Sequence, residues 1–448
     1  MGGYFSSKHR SEVASYLREI FDASFWKQAR AEAAEDGWRW TLPMLAMTWI
    51  AFVLVDRRAL MDRFAVAREW IAGVFEKRRR PGKTYQGFAS ASRVRAETLL
   101  QPMSEKLRQI SVPFLERRKQ RIVAIDGSRS RVPHTMENAR AFGQTTIKDR
   151  ADSAPQLLIV AAVEITQRLL WDWVVSGGNA SEPELAARII ERLPEDTLVV
   201  KDAGTVSYHW IREVLGGGRH LLMRVAGNFH FWAEKIGATR ENGGQIWIWP
   251  VEHPSHSPLR LRLIRCCVPH KKGRKKKSCR KTHREIYLLT DLDEHALSDR
   301  EAGQIYAKRW GASEIGFRSF KQTLGKTTLL SRGPEMALLE CQFSLLGMQL
   351  LSVLQLQSTR SADRLSSLAQ TWRVWRRAIE RGLHRSILKR LLSLCLIDNY
   401  RRTSQKSRRR PPQQKREYAT TPPHLRKLTF QVKQRWRQHF QDPFMLNC

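Results

Sequence analysis

Three acidic residues that lie far apart in the chain could together bind divalent metal ions. Asp126 ends a short apolar, β-branched run, Asp202 directly follows another such run, and Glu314 lies in a segment with helical periodicity. Hard ions such as Mg²⁺ and Mn²⁺ prefer carboxylate oxygens and keep coordination positions open for water and phosphate. Two ions about 4 Å apart can activate a nucleophile, neutralise a phosphate and stabilise the leaving oxygen. The three acids therefore predict a site for two metal ions that supports phosphodiester chemistry.

Each acid also has an alternative interpretation that involves no metal. Asp126 and Gly127 form a dipeptide that is common in turns. Asp202 precedes a predicted helix and could accept hydrogen bonds from the first amides of that helix. Glu314 and Arg318 are four residues apart, so they could form a surface ion pair worth about 0.3–0.5 kcal/mol. What favours the metal site is the order of the elements that carry the three acids.

These elements predict a mixed α/β fold. Strand-like apolar runs alternate with helical patterns, and Ser181 and Glu184 have the spacing of a capping box that begins a helix. In chain order we predict strands at 121–126, 156–165 and 169–175, a helix at 181–193, a strand at 197–200, a helix at 206–215 and a strand at 220–225. Three strands, helix, strand, helix, strand is the order of the ribonuclease H-like fold. In that order, one acid ends the first strand and another follows the fourth.

Composition shifts along the chain predict five regions. They are a helical N-terminal DNA-binding region (1–118), the first part of a ribonuclease H-like core (119–225), a β-rich insertion (226–290), the last part of the core (291–357) and a helical, basic C-terminal region with a dimerisation role (358–448). The helix that carries Glu314 is predicted to begin at Ser298, which Glu301 completes as a capping box, and to end before Gly325. Two further helices, predicted to be amphipathic, follow at 336–356 and 362–396, and the basic, proline-rich stretch 401–423 reads as a flexible linker.

The charge balance predicts a polyanionic partner. Lys and Arg number 78 against 43 Asp and Glu, which gives a formal net charge of +35. Nucleic acid is the first candidate, because each neutralised phosphate releases condensed counterions, and an acidic membrane surface is the rival. The longest apolar run, 41–55, is shorter than the roughly 20 residues that span a bilayer, so we predict a buried helix there. Sparse cysteines and the lack of a leader pattern predict a cytoplasmic location.

The predicted helix around Glu314 carries a recognisable set of residues. Tyr306, Arg309, Glu314 and Lys321 resemble the Tyr-Arg-Glu-Lys signature of the DDE transposases of bacterial insertion sequences, and the resemblance extends over roughly 85–356. Two of the three gaps match the signature, but four residues separate Arg309 from Glu314 where the family has three. On a regular helix the extra residue turns Glu314 to about 140° from Arg309, so we predict a local bulge at Gly311.

The resemblance implies roles for particular residues. Asp126, Asp202 and Glu314 would be the catalytic, metal-binding acids, with two Mg²⁺ or Mn²⁺ ions per site. Tyr306, Arg309 and Lys321 would contact DNA phosphates near the cleavage point. A homodimer would bind the inverted-repeat ends of the transposon, cleave them and join them to target DNA by cut-and-paste transposition, without a membrane partner.

Several tryptophans could stack on a base displaced from the DNA end. The candidates are Trp310 on the helix and Trp247 or Trp249 in the insertion, because an aromatic face accepts any base. An ordinary core or surface aromatic is the alternative for each of them.

Cysteine and histidine residues in the insertion allow one competing metal site. Cys267 and His270, followed by Cys279 and His283, could ligate a structural zinc ion. The alternative is a solvated basic loop at 271–281 that touches DNA, because the many lysines and arginines there would crowd positive charge near a cation.

Other functions remain open from sequence. They are a non-catalytic DNA-binding descendant of a transposase, a ribonuclease H-like nuclease without strand transfer, and a membrane-surface protein. Dimerisation is predicted from an apolar stripe in the C-terminal region, formed by Leu365, Leu368, Trp372 and Trp375.

Overall fold

A computed structural model describes residues 7–32, 40–56, 59–75, 80–115, 120–143, 154–202, 207–249, 256–269, 283–359, 365, 367–397 and 421–439. The chain forms two compact units, each assembled from three separate segments. The first unit is Met1–Lys119, Gly127–Leu185 and Ala312–Asn399, and the second is Gln120–Asp126, Ala186–Gly311 and Tyr400–Cys448.

The N-terminal part of the first unit is helical, as the sequence predicts. Its helices are α1 (Ser7–Ile20), α2 (Ala23–Glu32), α3 (Leu42–Leu54), α4 (Leu60–Ala72) and α5 (Tyr85–Leu115). Helix α3 corresponds to the longest apolar run, and its side chains are buried at nearly every position. Pro43 lies in its first turn, where the missing amide donor costs little. The prediction of a buried helix in this region is confirmed.

The following elements have the predicted order, with one short helix added. They are β1 (Ile122–Arg131), α6 (Met136–Phe142), β2 (Gln156–Glu164), β3 (Leu169–Gly177), α7 (Glu182–Ile190), β4 (Leu198–Lys201), α8 (Tyr208–Gly216) and β5 (His220–Val225). The mixed α/β fold with the strand and helix order of a ribonuclease H-like core is therefore confirmed.

Strand β1 is longer than predicted. It continues through Asp126 to Arg131, although the residues from Gly127 onward are polar and lack a strand pattern. The extension pairs with another backbone segment, because the Arg131 amide donates to the Thr327 carbonyl at 3.0 Å and the Leu329 amide donates to the Arg131 carbonyl at 2.8 Å. The prediction that Asp126 ends this strand is wrong, and so is the alternative that Asp126 and Gly127 form a turn.

The described residues of the segment that we predict to be an insertion form mainly strands. This segment contains β6 (His230–Ala233), α9 (Ile236–Asn242), β7 (Gly244–Ile248), β8 (Leu259–Pro269) and β9 (His283–Thr290). The basic run 271–281 lies outside the described residues, as do His270, Cys279 and the side chains of Cys267 and His283, so the zinc prediction has no structural counterpart to compare.

The remaining elements complete both units. They are α10 (Asp299–Arg318), a π-helical turn (Ser319–Thr323), α11 (Pro334–Thr359), α12 (Leu368–Arg381), α13 (Arg385–Ser393), β10 (His424–Lys427) and α14 (Phe430–His439). The capping box at the start of α10 is confirmed, because the Ser298 hydroxyl donates to Glu301 at 2.7 Å. Gly325 has a φ of 68°, the left-handed conformation of a helix stop. Most of the predicted linker 401–423 lies outside the described residues.

The second unit is built on a mixed sheet in the order β10-β6-β7-β8-β9-β5-β4-β1. β1, β4 and β5 are parallel, and Ala124 pairs with Val200 in the β1–β4 register. The residues of β4 are all buried, as expected of a strand in the interior of a parallel sheet. β10 is parallel to β6, and Trp436 of α14 is completely buried in a cluster that includes Trp247 and Leu428. The C-terminal segment is thus an integral part of this sheet.

Helix α11 is the central helix of the first unit and packs against α3, α5 and β3. The prediction that this segment is amphipathic is wrong, because α11 is covered by neighbours on nearly all sides. In the described part of the chain it is the one helix long and apolar enough to span a membrane, and 89% of its most apolar window is buried inside the protein. Helices α12 and α13 do have one buried and one exposed face.

A buried carboxylate organises the segment before α11. Glu340 accepts hydrogen bonds from the Lys326 amine at 3.0 Å, and from the amides of Leu330 and Ser331 at 3.0 and 2.9 Å. Arg63 lies 3.9 Å away and is also buried. Burial raises the pKa of Glu340, but the charge and hydrogen bond of Lys326, together with Arg63, lower that pKa more. Glu340 therefore remains ionised and holds these backbone groups.

Replacing Glu340→Gln is expected to destabilise the first unit by about 3–5 kcal/mol, because two buried cations lose their partner. Urea denaturation measures the loss. A matched control on the same helix is Glu335→Gln, whose partner Arg93 lies 3.2 Å away in a pair with side chains 53% and 71% exposed. The control should cost less than about 1 kcal/mol. Equal losses in the two variants would contradict the role given to Glu340.

A histidine and an aspartate join the ends of β5 and β9 in the second unit. Nδ1 of His220 lies 2.6 Å from a carboxylate oxygen of Asp291, and the other oxygen accepts from the Leu221 amide at 2.8 Å. The hydrogen bond to Asp291 raises the pKa of His220, and burial opposes this effect only in part. The protonated histidine is therefore the form that the folded state favours.

For His220→Gln we expect a stability loss of about 1 kcal/mol at low pH that shrinks as the pH rises. The sign follows from the raised pKa of His220, because the stabilisation is complete below its unfolded value of about 6.5 and is lost above the folded value. Unfolding of both proteins between about pH 5 and 9 measures the difference. The exposed His295→Gln is the control, and a difference that grows with pH would contradict the prediction.

Candidate active site

The first two predicted acids lie on neighbouring parallel strands. The register pairs Ala124 with Val200, and two more residues along each chain bring Asp126 opposite Asp202. Side chains two residues apart point to the same side of a strand, and neighbouring strands are about 4.8 Å apart. The strand pairing itself therefore brings the two carboxylates together.

Asp202 does not cap the helix that follows it. The N-cap of α8 is Ser207, whose hydroxyl accepts a hydrogen bond from the Trp210 amide at 3.3 Å. Asp202 is the first residue after β4, so the capping alternative is wrong for this acid.

The side chain of Arg309 lies between the two aspartates. One terminal nitrogen of Arg309 donates to Oδ2 of Asp202 at 3.2 Å, and the other lies 3.8 Å from Oδ2 of Asp126. The arginine side chain is 9% exposed, whereas those of Asp126 and Asp202 are 30% and 47% exposed. The first contact is a charged hydrogen bond, and the second is an ion pair too long for a hydrogen bond. Arg309 thus compensates both negative charges at once.

Tyr306 completes this cluster one helical turn before Arg309. Its hydroxyl donates to Oδ1 of Asp202 at 3.0 Å, and the guanidinium of Arg309 lies 5.4 Å from the centre of its ring. Burial, followed by the negative charge of Asp202, raises the pKa of Tyr306 well above its usual range. The hydroxyl therefore remains protonated and acts as a donor, while the ring face supports the arginine.

Glu314, the third predicted acid, follows these residues along α10. Glu314 is exposed and lies five residues after Arg309 on α10, in the segment that belongs to the first unit. The bulge predicted at Gly311 is wrong, because α10 is a regular α-helix there. On a regular helix the extra residue leaves Glu314 about 140° around the axis from Arg309.

A π-helical turn does occur, but it follows α10. The amide of Leu324 donates to the carbonyl of Ser319, five residues earlier, at 3.0 Å. This turn contains Lys321, so the seven-residue spacing from Glu314 no longer places both residues on one face of a regular helix. Burial lowers the pKa of Lys321. The side chain of Trp310 lies outside the described residues.

The tryptophans predicted in the insertion have structural roles. Trp247 is 5% exposed in the cluster around Trp436, and the indole nitrogen of Trp249 donates to the His256 carbonyl at 3.0 Å. The core alternative is therefore correct for Trp247. The predicted dimer stripe is also largely internal, because Trp372 and Trp375 are 9% and 0% exposed and Trp372 donates to the Leu54 carbonyl at 2.8 Å. The homodimer prediction loses this support.

The family resemblance implies that Arg309 and Tyr306 contact DNA phosphates, and their contacts with the acids were not predicted. The sequence offers no signal for these contacts, because helical spacing gives the angles between side chains around α10 but not the direction in which α10 runs past the strands. In the described part of the chain, no group of three His, Cys, Asp or Glu side chains has the geometry of a metal site. Asp126 and Asp202 are a pair, and Glu314 remains a predicted third ligand.

A mixed α/β fold with two carboxylates on adjacent parallel strands is the arrangement of the ribonuclease H-like class. Residues 117–348, more than half of the 448-residue chain, match the family described as "Transposase DDE domain". The chain belongs to this family of transposases, which confirms the resemblance to DDE transposases, whereas the Tyr-Arg-Glu-Lys signature stays a prediction.

Part of the chain is similar to a curated bacterial transposase. Over 231 residues the chain is 28% identical to the transposase InsG for insertion sequence element IS4 of Escherichia coli strain K12, with 48% of each protein covered. The chain thus spans about half of the length of this curated relative. The cryo-EM structure of the piggyBac transposase synaptic complex with hairpin DNA has a TM-score of 0.40 and 13% identity to this chain, covering 88% of this chain and 87% of that one.

Proposed function

We propose that this protein is a transposase that binds the ends of its own insertion sequence and catalyses metal-dependent DNA cleavage and strand transfer. The observation that carries the proposal is the convergence of Asp126 and Asp202 on one cation, within a transposase DDE domain. Because its substrate is DNA, the proposed activity belongs in the bacterial cytoplasm. A homodimer on DNA remains an expectation from the family resemblance.

The two aspartates fit a divalent metal ion. Their oxygens are hard donors, they already share a cation in the form of the Arg309 guanidinium, and both side chains are open to solvent. Asp126 and Asp202 would hold Mg²⁺ or Mn²⁺, with Glu314 as the proposed third ligand and two ions per site. Such ions supply an activated nucleophile and charge neutralisation at the attacked phosphate.

Neighbouring residues of the chain would position the acids and the DNA. The Tyr306 hydroxyl holds Oδ1 of Asp202, which fixes the rotation of that carboxylate and leaves Oδ2 for a cation. Lys321, whose amine is partly buried in the π-helical turn, is proposed to contact a DNA phosphate as the signature implies.

The exposed face of α12 is a proposed DNA-binding surface. Arg373, Arg377 and Arg381 are exposed and four residues apart, so they line one face of the helix, whereas Trp372 and Trp375 are buried on the other. Lys389 and Arg390 of α13 are exposed as well. We call Arg373, Arg377 and Arg381 the α12 arginine row. Regularly spaced arginines bind the phosphate backbone without reading its sequence.

The variants Asp126→Asn and Asp202→Asn are expected to reduce Mg²⁺-dependent cleavage of DNA that carries the insertion-sequence ends by at least about a thousandfold, because each removes a charged ligand. Glu314→Gln should have a comparable effect. A cleavage assay with purified protein, with and without Mg²⁺, measures this, and a pre-nicked end tests strand transfer.

The matched controls are Asp196→Asn and Glu294→Gln, which are exposed and should cleave like the wild type. Asp196 has a φ of 58°, a conformation that asparagine also tolerates. If the wild type and Asp202→Asn cleave equally little, the protein is a non-catalytic DNA-binding descendant. Cleavage without joined products would identify a nuclease instead.

Replacing the α12 arginine row with glutamine is expected to weaken DNA binding uniformly across sequences and to reduce the slope of log K against log salt by about 3. Binding titrations at several salt concentrations measure both effects. Arg188→Gln on α7, an exposed arginine between glutamates, serves as the control. A loss confined to one DNA sequence would contradict a backbone-binding role for the row.

A further inference from the structure

We propose that the guanidinium of Arg309 occupies the divalent-metal position between Asp126 and Asp202 in the metal-free protein and is exchanged for the metal ion on loading. The inference rests on the proposed function, because it assumes that these acids hold the metal. It assigns Arg309 a role as a competing internal cation, which the signature does not assign to it.

The contacts of Arg309 indicate where a metal ion would bind. The two terminal nitrogens of Arg309 address different carboxylates, at 3.2 Å from Asp202 and 3.8 Å from Asp126. In both acids the oxygen concerned is Oδ2. A cation that replaces the guanidinium would therefore meet one oxygen from each acid. The position of the Arg309 guanidinium is therefore the position at which the two carboxylates attract a shared cation.

Tyr306 would keep the Asp202 carboxylate in the same orientation while a metal ion replaces the guanidinium of Arg309. Its hydroxyl binds the opposite oxygen of Asp202, Oδ1, at 3.0 Å, so the carboxylate stays oriented without the arginine. The ring lies beside the guanidinium, whose centre is 5.4 Å from the ring centre. An arginine that leaves the acids can still stack on this face.

The exposure of the acids makes the exchange feasible. Asp126 and Asp202 have side chains 30% and 47% exposed, so water screens their attraction to Arg309. The pair Lys326–Glu340 is the contrast, because its side chains are 1% and 0% exposed and its separation would leave two buried charges unpaired. The carboxylates of Asp126 and Asp202 are therefore accessible to a cation from solvent, whereas that of Glu340 is not.

Competition predicts how metal affinity depends on the arginine. If the acids are free of Arg309 for only a fraction of the time, the apparent dissociation constant for metal rises by the inverse of that fraction. Arginine bridges two carboxylates through a rigid planar fork, whereas lysine presents a point charge on a flexible stem. Lysine at this position should therefore compete less well, although its charge is the same.

The test is calorimetric titration of the full-length, DNA-free protein with Mn²⁺, comparing the wild type with Arg309→Gln, Arg309→Lys and Arg262→Gln. Arg309→Gln should bind Mn²⁺ roughly tenfold more tightly than the wild type, equivalent to about 1.4 kcal/mol. Arg309→Lys should be intermediate. Arg262, 15% exposed and 2.9 Å from Asp299, is an ion-paired arginine of the same unit, and its replacement should leave the affinity unchanged.

Thermal unfolding gives a second readout that needs no catalysis. Without metal, Arg309→Gln should melt below the wild type, because the two aspartates lose their shared cation. With the same saturating Mn²⁺ concentration the melting temperature of the variant should rise more than that of the wild type, since stabilisation by a ligand increases with the logarithm of its affinity. The affinity difference should persist at about 0.5 M salt, where a long-range field effect is screened.

Each remaining outcome overturns the exchange. An affinity of Arg309→Gln equal to or weaker than that of the wild type would mean that Arg309 does not compete. If Arg309→Lys binds Mn²⁺ as weakly as the wild type, positive charge alone accounts for the low affinity. The guanidinium would then have no specific role as a competitor. If the wild type cleaves DNA with Mg²⁺ in either case, the proposed function stands and only this inference fails. If none of the proteins binds Mn²⁺ and the wild type does not cleave DNA, both fail.

Discussion

Two negative charges on adjacent strands need a cation, and the arrangement of β1, β4 and α10 in the second unit meets this requirement. At about 4 Å separation, two like charges repel by about 1 kcal/mol in water and by about 4 kcal/mol near a protein surface. The parallel pairing of β1 and β4 creates the repulsion by bringing Asp126 and Asp202 together. Helix α10 relieves it by delivering Arg309, and Tyr306 fixes one of the two carboxylates.

In the first unit, by contrast, charge compensation takes place in the interior. Glu340 binds the amine of Lys326 and the amides of Leu330 and Ser331, so the segment that follows α10 has a defined path. This segment also pairs with the extension of β1 through Arg131. The buried carboxylate of Glu340 on α11 thereby fixes a backbone segment whose sequence has neither a helical nor a strand pattern. Arg63 brings the N-terminal helices into the same network.

Much of the fold could be predicted from local sequence. The strands β2 to β5 and the capping box of α10 follow from apolar runs and from Ser298 with Glu301, because these signals lie within a few residues of the element they define. The extension of β1 could not be predicted, since it depends on backbone pairing with Thr327 and Leu329, about 200 residues away. β10 could not be predicted for the same reason, because its partner β6 is equally distant in the chain.

The candidate site was predictable to a similar extent. Asp126 and Asp202 could be found because each adjoins a short apolar strand, and strand order then brings them together. The partner of Arg309 could not be found, because helical spacing gives angles around α10 but not the direction in which α10 crosses the sheet. The π-helical turn at Ser319–Thr323 also lacks a sequence signal, since it replaces one hydrogen-bond pattern by another without a glycine or proline.

The pairing of β10 with β6 has a consequence for synthesis of the protein on the ribosome. His230 of β6 pairs with His424 of β10. The ribosome must therefore add 194 further residues to the chain before β6 can pair with β10. At roughly 5–20 residues per second the delay is about 10–40 seconds. During that time Trp232 and Trp247 lack Trp436, the side chain that later covers them. The nascent chain therefore has an unpaired strand edge and an uncovered aromatic surface until β10 and α14 have been synthesised.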